Sequence, residues 1–423
     1  MIVPSIDIVN NRAVQWREGR EFVLDGGDPF ERLEQFAVCG EVAVVDLDAA
    51  LGRGDNSALI RAMVRRAPCR VGGGIRTLES ARAWLDAGAT AVVVGTAATP
   101  QFCAALPTQR VIAAVDARHG EVLVDGWRNG TGQHVLTAIE RLAPHVGGFL
   151  LTQIEREGHM AGFDLELLEQ ARKAASGRAL TAAGGISTAE QIATLDRLGI
   201  DAQVGMALYT GALSLCDAFA APLTSDRHDR LWPTVVCDEA GRALGLTYSN
   251  ATSLARALTE RRGIYWSRSR ADLWVKGESS GNVQELIRAD LDCDRDAVRF
   301  LVRQGGSGEF CHLGRRGCWP GPFTLRDLEQ QLAQRRGSHD RSSRTVQLLE
   351  DSSLLAAKLR EEANELGQAV DRDAVIHEAA DLIYFTMVAL ARQGLTFDLV
   401  STELQRRASM VSRRPLAPKE LQP

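Results

Sequence analysis

Three cysteines and three aspartates lie within a short stretch of this sequence, between residues 292 and 318. The stretch begins Asp292-Cys293-Asp294-Arg295-Asp296 and ends with a Cys-His-Leu-Gly-Arg-Arg-Gly-Cys segment that runs from Cys311 to Cys318. Thiolates prefer zinc, whereas carboxylate oxygens prefer magnesium. The composition therefore predicts that both ions are held near one substrate.

The spacing of the cysteines leaves three interpretations open: a catalytic zinc, a structural zinc, or no metal. The cysteines lack the paired Cys-x-x-Cys knuckles of a closed four-ligand site, and a three-ligand site leaves one position for water. Alternate residues of a strand face the same way. On a strand, Asp292, Asp294 and Asp296 would line one face and Cys293 the other.

A second acidic group lies in the helical sequence near the C-terminus. It comprises Glu361, Glu362 and Glu365, followed on the next helix by Glu378 and Asp381. Residues three or four apart share a helix face. An exposed acidic face is the common explanation, but Glu378 and Asp381 interrupt a largely apolar run over residues 376–384. Acids that face a helical core need a cation, so a metal site is the alternative.

The first 220 residues alternate short apolar runs with helical patterns, such as the helix predicted over residues 78–87, and this alternation indicates parallel β/α architecture. The pattern also repeats: a Gly-Gly-Ile segment recurs 111 residues on, from Gly73 to Gly184, and Val-Gly recurs 110 residues on, from Gly95 to Gly205. Two copies of a four-unit half predict a (β/α)8 TIM barrel.

Each feature of the repeat falls at the predicted C-terminal end of a strand, where barrel enzymes keep their sites. Glycines there allow backbone N–H groups to approach a phosphate, although tight turns explain many such glycines. We expect two phosphate sites, formed by Gly73, Gly74, Gly95 and Thr96 and by Gly184, Gly185 and Gly205. Asp7 and its counterpart Asp116 are expected to face each other as a carboxylate pair suited to one proton donor and one acceptor, or to be structural strand-end aspartates.

Length and composition predict several domains around these residues. The chain has 423 residues, 45% of them hydrophobic, and its net charge of −5 gives no sign of nucleic-acid binding. We also expect no membrane-spanning stretch and no basic leader, hence a cytoplasmic protein. The polar stretch 222–230 resembles a linker, and the prolines at 320–322 suggest a second break.

The middle segment resembles phosphoribosyl-AMP cyclohydrolase over residues 229–319. The motifs are Tyr265-Trp-Ser-Arg-Ser-Arg270, Trp274-Val-Lys-Gly-Glu-Ser-Ser-Gly-Asn282 and Asp292-Cys-Asp-Arg-Asp296. The resemblance implies hydrolytic opening of the adenine ring between N1 and C6, with zinc shared across a dimer interface. Its implied zinc ligands are Cys293, Cys311 and Cys318, and its implied magnesium ligands are Asp292, Asp294 and Asp296. Arg268, Arg270 and Lys276 are candidates for binding the substrate's phosphates.

Residues 1–215 resemble the ProFAR isomerase of histidine biosynthesis. Matching segments are Val3-Pro-Ser-Ile-Asp7, Gly72-Gly-Gly-Ile-Arg76, Asp125-Gly-Trp127, Gly184-Gly-Ile-Ser187 and Val204-Gly-Met-Ala-Leu-Tyr-Thr-Gly211. The cyclase subunit of imidazole glycerol phosphate synthase shares this barrel. The resemblance implies an Amadori rearrangement, with Asp7 as proton acceptor and Asp116 as proton donor. Where the family has Asp-Gly-Thr, this chain has Glu157-Gly-His159, and Met206 replaces a position that is often basic.

The C-terminal segment resembles phosphoribosyl-ATP pyrophosphohydrolase, an all-α enzyme related to the MazG type, over residues 323–410. The motifs are Lys358-Leu-Arg-Glu-Glu-Ala-Asn-Glu365 and Glu378-Ala-Ala-Asp-Leu-Ile-Tyr384. The resemblance implies magnesium bound by Glu361, Glu362, Glu365, Glu378 and Asp381, phosphate contacts from Lys358 and Arg407, and a homodimer. Phe385 and Arg344 depart from the family pattern.

The three implied reactions are consecutive. Phosphoribosyl-ATP loses pyrophosphate, the adenine ring of phosphoribosyl-AMP opens to give ProFAR, and ProFAR is isomerised. We therefore predict a trifunctional enzyme of histidine biosynthesis that acts on phosphoribosyl nucleotides. Its predicted domains are a (β/α)8 barrel at 1–222, a small α+β zinc domain at 223–322 and an all-α MazG-like domain at 323–423. One alternative is a bifunctional hydrolase with a catalytically silent barrel as scaffold. A second is a structural zinc module for protein interaction.

Overall fold

The computed structural model describes residues 1–319, 321, 323–338, 340 and 342–412. These residues form two compact units, one of residues 1–318 with residues 409–412, and the other of described residues within 319–408. The predicted 222/223 boundary lies inside the first unit. Pro320 and Pro322 of the second predicted break, and residues 413–423 of the predicted third domain, lie outside the described residues.

The barrel segment alternates strands and helices along the chain. Its strands are β1 (Ile2–Val9), β2 (Arg12–Arg17), β3 (Glu21–Gly27), β4 (Val42–Asp46), β5 (Cys69–Gly72), β6 (Ala91–Val94), β7 (Val111–Ala114), β8 (Ala117–Arg118), β9 (Glu121–Val124), β10 (Asn129–His134), β11 (Gly148–Thr152), β12 (Ala179–Ala183) and β13 (Asp201–Val204). Its helices are α1 (Pro29–Ala37), α2 (Leu47–Leu51), α3 (Ser57–Met63), α4 (Leu78–Ala87), α5 (Pro100–Ala104), α6 (Val135–Leu142), α7 (Leu165–Ala174), α8 (Ala189–Arg197), α9 (Met206–Thr210) and α10 (Leu215–Ala220).

Within residues 1–221, all of which are described, eight parallel strands close into a barrel. Their order is β1-β4-β5-β6-β7-β11-β12-β13, and β13 pairs with β1 through Ile2↔Ala202 and Pro4↔Val204. Apolar side chains of these strands, such as Ile6, Val44 and Val92, are fully buried beneath the surrounding helices. The predicted (β/α)8 barrel is confirmed, and α4 has the predicted bounds.

The internal repeat also sets where helices begin. Thr77 accepts a hydrogen bond from the N–H of Ser80 at the start of α4, and Thr188 forms a reciprocal capping box with Gln191 at the start of α8. Side-chain oxygens at these positions satisfy N–H groups that the first helical turn leaves unpaired. Each threonine follows the second glycine of its Gly-Gly pair by three residues, so both halves make the same strand-to-helix turn.

Two excursions leave the barrel at its strand ends. β2 and β3 form an antiparallel hairpin beside β1, and β8, β9 and β10 form a small antiparallel sheet after β7. The hairpin turn reaches the segment after β11, where the N–H of Glu18 donates to the carbonyl of Glu157 at 3.3 Å. The hairpin therefore contributes to the wall above the barrel.

The middle segment folds as a small α+β structure inside the first unit. Its elements are β14 (Trp232–Cys237), β15 (Ala243–Ser249), α11 (Ala251–Glu260), β16 (Ile264–Ser267), β17 (Asp272–Val275), β18 (Gln284–Leu291) and β19 (Val298–Gln304). The strands form a sheet of order β15-β14-β19-β18 and a separate β16–β17 hairpin. Tyr265 is fully buried between Trp274 and Phe300, and it holds the hairpin against the sheet.

The described part of the second unit is helical. Its helices are α12 (Leu325–Arg336), α13 (Arg344–Glu350), α14 (Ser352–Gln368), α15 (Arg372–Gln393) and α16 (Phe397–Ser409), the last of which ends just beyond the unit. Leu355, Met387 and Val388 belong to its small core. The predicted helical C-terminal region is confirmed.

One helix of this unit, α15, is long and apolar enough to cross a membrane when judged by length and composition alone, although we expected no such stretch. Only 11% of its most apolar 18-residue stretch is buried. Core helices of helical proteins pass the same test, so this is weak support for a membrane span. Its acidic residues Glu378 and Asp381 face acids of α14, a pairing described below.

Candidate active sites

A cavity of about 250 Å³ lies at the C-terminal ends of the barrel strands. Both halves of the internal repeat contribute to its lining, and so do the hairpin turn at Gly19 and the segment after β11. Asp7 and Asp116, the predicted acceptor and donor, both line it, and so does Glu157, which stands where the family has the aspartate of Asp-Gly-Thr. The repeat thus places its acidic residues around one enclosed space.

The three carboxyls are reached from the cavity but are otherwise enclosed by protein. Burial raises the pKa of Asp7 to about 6, although a hydrogen bond from Ser5 at 3.1 Å opposes the shift. Burial also raises the pKa of Asp116, against hydrogen bonds from Thr152 and Trp127. The pKa of Glu157 rises to about 8 through burial and the charges of Asp7 and Asp116. Such a set can hold and move protons near neutral pH.

The departures from the isomerase pattern have different structural outcomes. Glu157 lies with the two aspartates in the cavity, in spite of its extra methylene. His159 instead points to Glu18, with 3.0 Å between Nε2 and Oε1, and its side chain is 41% exposed. Met206 lines the cavity without offering a charge. A carboxyl group is therefore retained in the cavity at position 157, whereas a basic side chain is missing at position 206.

The predicted phosphate-site glycines directly follow β5, β6, β12 and β13, at the cavity edge. Packing alone explains both glycines of each Gly-Gly pair, since a Cβ on any of the four would clash with backbone: one on Gly73 would lie 2.2 Å from the carbonyl oxygen of Asp46, and one on Gly184 would lie 2.6 Å from that of Gln153. Gly73 and Gly184 both have a positive φ, 95° and 96°. Thr96 is engaged in accepting a hydrogen bond from the N–H of Asp125 at 2.9 Å. Phosphate binding at these glycines stays a prediction.

Several side chains around the cavity acids had no role predicted from the sequence. Trp127 donates its indole N–H to Asp116, and Ser5 donates to Asp7. Tyr209 has a buried hydroxyl without a hydrogen-bond partner among the described residues, and burial, together with the charge of Asp7, raises its pKa. The motifs Asp-Gly-Trp and Ala-Leu-Tyr-Thr-Gly contained two of these residues. Their contacts depend on chain segments that are distant in sequence.

The three aspartates of the middle segment come together, but not on a strand. β18 ends at Leu291 and β19 begins at Val298, so residues 292–297 form the connecting loop, and the expected alternation between two strand faces is wrong. Carboxylate oxygens of Asp292, Asp294 and Asp296 nevertheless lie within 4.8 Å of one another. Asp292 also accepts hydrogen bonds from the N–H groups of Asp296 and Ala297, each at 3.1 Å. We call residues 292–297 the carboxylate loop. Its donor set fits a hard divalent cation.

The three cysteines are divided within one chain. Cys311 and Cys318 are neighbours, and partial burial together with the Cys311 thiol raises the pKa of Cys318. Among the described residues, Cys293 does not join them within the 4.8 Å that a shared ion requires. It is exposed in the carboxylate loop. Two neighbouring thiolates fit two of the ligand positions of a zinc ion.

The candidate phosphate-binding cations of this segment have unequal surroundings. Arg268 and Arg270 are exposed at the β16–β17 turn, and the Arg268 guanidinium lies 4.0 Å from the centre of the Tyr248 ring. Lys276 is buried, with its Nζ 3.4 Å from the carbonyl oxygen of Glu309. Burial lowers the pKa of Lys276, while nearby Glu309 and Cys311 oppose that shift. Lys276 therefore lies beside the thiol pair, and the two arginines are open to solvent.

The acids of the second unit gather between α14 and α15. Glu361, Glu362 and Glu365 form one group, and Glu362, Glu378 and Asp381 form another, each with oxygens within 4.8 Å. Glu362 belongs to both and is only 5% exposed. Burial and then the charges of Glu365 and Asp381 raise the pKa of Glu362. Five predicted ligands thus form one double cluster, whose buried central acid fits a divalent cation.

Several basic side chains and hydroxyls of the second unit already have partners within the protein. Lys358 Nζ lies 2.9 Å from Glu361 and 3.8 Å from Glu362. Arg407 donates to Glu403 at 2.7 Å. The hydroxyls of Thr345 and Tyr384 are 2.8 Å apart. Lys358 therefore lies at the cluster, and Arg407 is held on its own helix, while their phosphate contacts stay predictions.

Three family models match successive parts of the chain. Residues 1–214 match the model described as histidine biosynthesis protein, residues 245–320 match phosphoribosyl-AMP cyclohydrolase, and residues 325–408 match phosphoribosyl-ATP pyrophosphohydrolase. The first match alone covers half of the chain.

Curated proteins give the same association. The chain is 45% identical over 194 residues to a histidine biosynthesis trifunctional protein of Kluyveromyces lactis, a match covering 45% of this chain and 24% of that protein. The corresponding protein of Saccharomyces cerevisiae is 43% identical over 192 residues, with 45% and 24% coverage. A histidine biosynthesis bifunctional protein HisIE of Photobacterium profundum is 37% identical over 197 residues, covering 43% of this chain and 94% of that protein. The chain thus spans about a quarter of the trifunctional relatives.

Proposed function

This chain belongs to the histidine biosynthesis protein family, and we propose that it catalyses three consecutive reactions on phosphoribosyl nucleotides. In order, it removes pyrophosphate from phosphoribosyl-ATP, opens the adenine ring of phosphoribosyl-AMP, and isomerises the resulting ProFAR. One observation carries the proposal: each of three successive family matches falls on a segment with its own cluster of acidic side chains. The product of each reaction is the substrate of the next.

For pyrophosphate release, the double cluster between α14 and α15 would hold magnesium. Glu362 occupies its buried centre, and Glu361, Glu365, Glu378 and Asp381 surround it. The metal, when bound, supplies charge neutralisation and an activated water for attack on the phosphoanhydride. Lys358, beside Glu361, is placed to contact a phosphate oxygen. The water oxygen bonds to one phosphorus as the bond between the α and β phosphates breaks.

For ring opening, the carboxylate loop would hold magnesium, and Cys311 and Cys318 would hold zinc with Cys293 of a second subunit. Zinc, when bound, supplies a water acidified to a pKa near 7 that can attack a purine carbon. Oxygen is added at C6, the bond between N1 and C6 breaks, and N1 takes a proton. Lys276 lies at the thiol pair, and the exposed Arg268 and Arg270 are available to the substrate's phosphates.

For isomerisation, the barrel cavity supplies the proton carriers directly. A proton delivered to the ring oxygen opens the aminoaldose, and removal of the C2 proton leads to the aminoketose. Asp116 is the donor and Asp7 the acceptor, whose pKa near 6 leaves it ionised at neutral pH. Glu157, with a pKa near 8, is protonated there and can share protons with both. The glycines after β5, β6, β12 and β13 would hold the two phosphates.

The alternative of a silent barrel used as a scaffold rests on the sequence departures at positions 157, 159 and 206. Glu157 lies in the cavity with its charge coupled to Asp7 and Asp116, which favours an active isomerase. The change to Met206 removes one phosphate-binding cation but leaves the acids intact. We therefore favour turnover by the barrel over a scaffold role.

A homodimer is part of the proposal for two reasons: the zinc ligands are divided within one chain, and α15 and α16 expose large apolar side chains. In the second unit, Ile376 and Ile383 of α15 are 55% and 42% exposed, and Leu399 and Leu404 of α16 are 57% and 55% exposed. Covering such side chains stabilises association. The exposed apolar side chains of α15 are better explained by burial against a second subunit than by insertion into a membrane, because the acids Glu378 and Asp381 on the same helix would be costly to place in a bilayer.

The direct test is to supply phosphoribosyl-ATP to the purified full chain with zinc and magnesium and to identify each product by mass. We expect the isomerised aminoketose to accumulate. The Asp7→Asn variant should stop at ProFAR while both hydrolytic steps continue at their normal rates. If the unmodified chain also stops at ProFAR, the barrel is silent and the scaffold alternative holds.

A further inference from the structure

The carboxylate loop is tied to the barrel through a single arginine. Arg295, in the middle of the loop, donates two hydrogen bonds to Asp196 of α8, from Nε to Oδ2 and from Nη2 to Oδ1, both 3.0 Å long. The side chains are 23% and 11% exposed, so this charge pair is largely shielded from water. Paired, charge-assisted hydrogen bonds of this kind are strong and fix orientation.

The same arginine also determines the path of the loop. Its Nη1 donates to the carbonyl of Asp292 at the start of the loop. Its own carbonyl accepts the N–H of Thr224, in the connection from the barrel, at 2.8 Å. Its φ of 66° is a left-handed conformation that non-glycine residues rarely adopt. Such a conformation persists only where its surroundings hold it.

The carboxylate loop needs stabilising contacts because its three aspartates bring like charges together. Asp292, Asp294 and Asp296 converge within 4.8 Å, and Asp294 and Asp296 are exposed. Like charges at this separation repel each other, so an unanchored loop would open. The convergence that suits a cation therefore depends on the hydrogen bonds that Asp292 accepts within the loop and on the contacts of Arg295 with residues outside it.

We propose that Asp196 of the barrel is a positioning residue for the carboxylate loop, holding Arg295 so that the three aspartates remain gathered. This role rests on the proposed function only in naming magnesium as the ion that the loop serves. Asp196 lies near the end of α8, before β13, at the end of the barrel opposite its cavity. The barrel is thus a catalytic domain at one end and a support for the middle segment at the other.

The effect of Asp196 is separable from domain docking. The middle segment also contacts the barrel through the N–H of Ala289, which donates to the carbonyl of Val38 at 2.8 Å, and through Arg261, which donates to the carbonyl of Glu34 at 2.7 Å. Neither contact involves α8. An Asp196→Asn change therefore leaves these contacts in place. Besides the loop, it affects the N-terminal ammonium of Met1, which donates to Asp196 Oδ1 at 3.0 Å and to Asp201 Oδ1 at 2.9 Å, so Asp201→Asn also controls for a weakened N-terminal contact.

The first test measures amide hydrogen exchange in the full chain after all metal has been removed. We expect the amides of residues 292–297 to exchange about tenfold faster in Asp196→Asn than in the unmodified chain, because opening of the loop becomes easier. Asp201→Asn is the matched control: it removes a nearby carboxylate that approaches Arg295 electrostatically but makes no hydrogen bond to it. Equal exchange in all three proteins, or equal acceleration in both variants, would overturn the proposal.

The second test measures the magnesium concentration that gives half-maximal ring opening. Asp196→Asn should raise it about tenfold, as loss of a group that orients metal ligands typically does, and leave kcat at saturating magnesium nearly unchanged. The magnesium requirement of pyrophosphate release in the same chain serves as an internal control. Asp196→Glu, which keeps the carboxylate, should restore most of the affinity. A fall in kcat without a change in magnesium requirement would contradict a positioning role.

These tests remain decisive if a variant folds poorly or if the chain opens no adenine ring. Arg295→Lys keeps the charge but loses the paired geometry, and it should accelerate exchange at residues 292–297 as Asp196→Asn does. Absence of ring opening in the unmodified chain would contradict the proposed function. The exchange measurement, which needs neither metal nor substrate, would still support or overturn the role of Asp196.

Discussion

Trp127 donates its indole N–H to Oδ2 of Asp116 at 2.8 Å. This hydrogen bond links the small sheet of β8, β9 and β10 to the acid that lies just after β7. Trp127 has a φ of 64°, and its ring packs where a Cβ on Gly19 would lie only 3.0 Å away. The hydrogen bond stabilises the ionised form of Asp116 against burial. One tryptophan therefore both orients the proposed donor and limits the rise of its pKa.

Replacing Trp127 by Phe should change the pH profile of isomerisation. Without the hydrogen bond, the pKa of Asp116 rises further, so the alkaline limb of kcat/KM should move to higher pH. Loss of orientation should lower kcat about 10- to 100-fold, in line with a charge-assisted hydrogen bond of about 1.5–3 kcal/mol. Trp16→Phe is the control, since Trp16 lines the same cavity and its indole N–H has no partner among the described residues. An unchanged alkaline limb in Trp127→Phe would refute the assignment.

Glu157 should make the stability of the barrel depend on pH. Its pKa is raised from 4.5 to about 8 in the folded protein, so the folded state binds more protons than the unfolded state between these values. Stability is consequently lost as pH rises through this window. Glu157→Gln cannot ionise, and at pH 9 it should exceed the unmodified chain by roughly 2–5 kcal/mol, with the difference vanishing below pH 4. Thermal unfolding of both proteins across this range is the measurement, and parallel Tm curves would contradict the expectation.

Among the five acids of the double cluster, Glu362 should be the one whose loss slows pyrophosphate release most. Because it belongs to both groups of the cluster, Glu362→Gln should lower the rate about a hundredfold at fixed magnesium. Magnesium should raise the Tm of the unmodified chain but have a smaller effect on the variant, since a ligand stabilises only a state that binds it. Asp373→Asn, an exposed acid in the first turn of α15 outside the cluster, is the matched control. If both variants lose activity equally, the cluster is not the metal site.

The divided cysteines predict complementation between two inactive variants. Cys293→Ser and Cys318→Ser should each lose ring opening and bound zinc. If Cys293 of one subunit completes the site at Cys311 and Cys318 of another, a mixed dimer retains one intact site. After random exchange of subunits, about a quarter of the normal activity should return. Cys103→Ala, which alters a buried barrel thiol, should keep its zinc throughout. No recovery after verified exchange would place the site within a single chain.

Much of the architecture followed from local sequence patterns. The alternation of apolar strands with helices and the recurrence of Gly-Gly 111 residues apart indicated the barrel, because each repeat encodes its own strand, turn and capped helix. The acids at 361, 362, 365, 378 and 381 were also predictable as two helix faces, since their spacing follows the helical period. Their convergence around the buried Glu362 required the packing of α14 on α15, which no spacing within one helix specifies.

The carboxylate loop shows where a local pattern misled. Alternation of Asp292, Asp294 and Asp296 fits a strand face, yet the residues form a loop because Asp292 accepts the N–H groups of Asp296 and Ala297 and Arg295 takes a left-handed turn. That turn is held by Asp196, a residue 99 positions away in sequence. A contact of this range depends on how two folded segments dock, which a local pattern does not contain.

The sequence by itself thus determined which chemical groups this protein has and which elements carry them, because residue type and periodicity act over a few positions. The tertiary structure decided which groups meet. It placed Glu157 with Asp7 and Asp116 and turned His159 toward Glu18. It also separated Cys293 from Cys311 and Cys318 within one chain. These outcomes depend on burial and electrostatic coupling between distant segments, and those quantities exist only once the chain has folded.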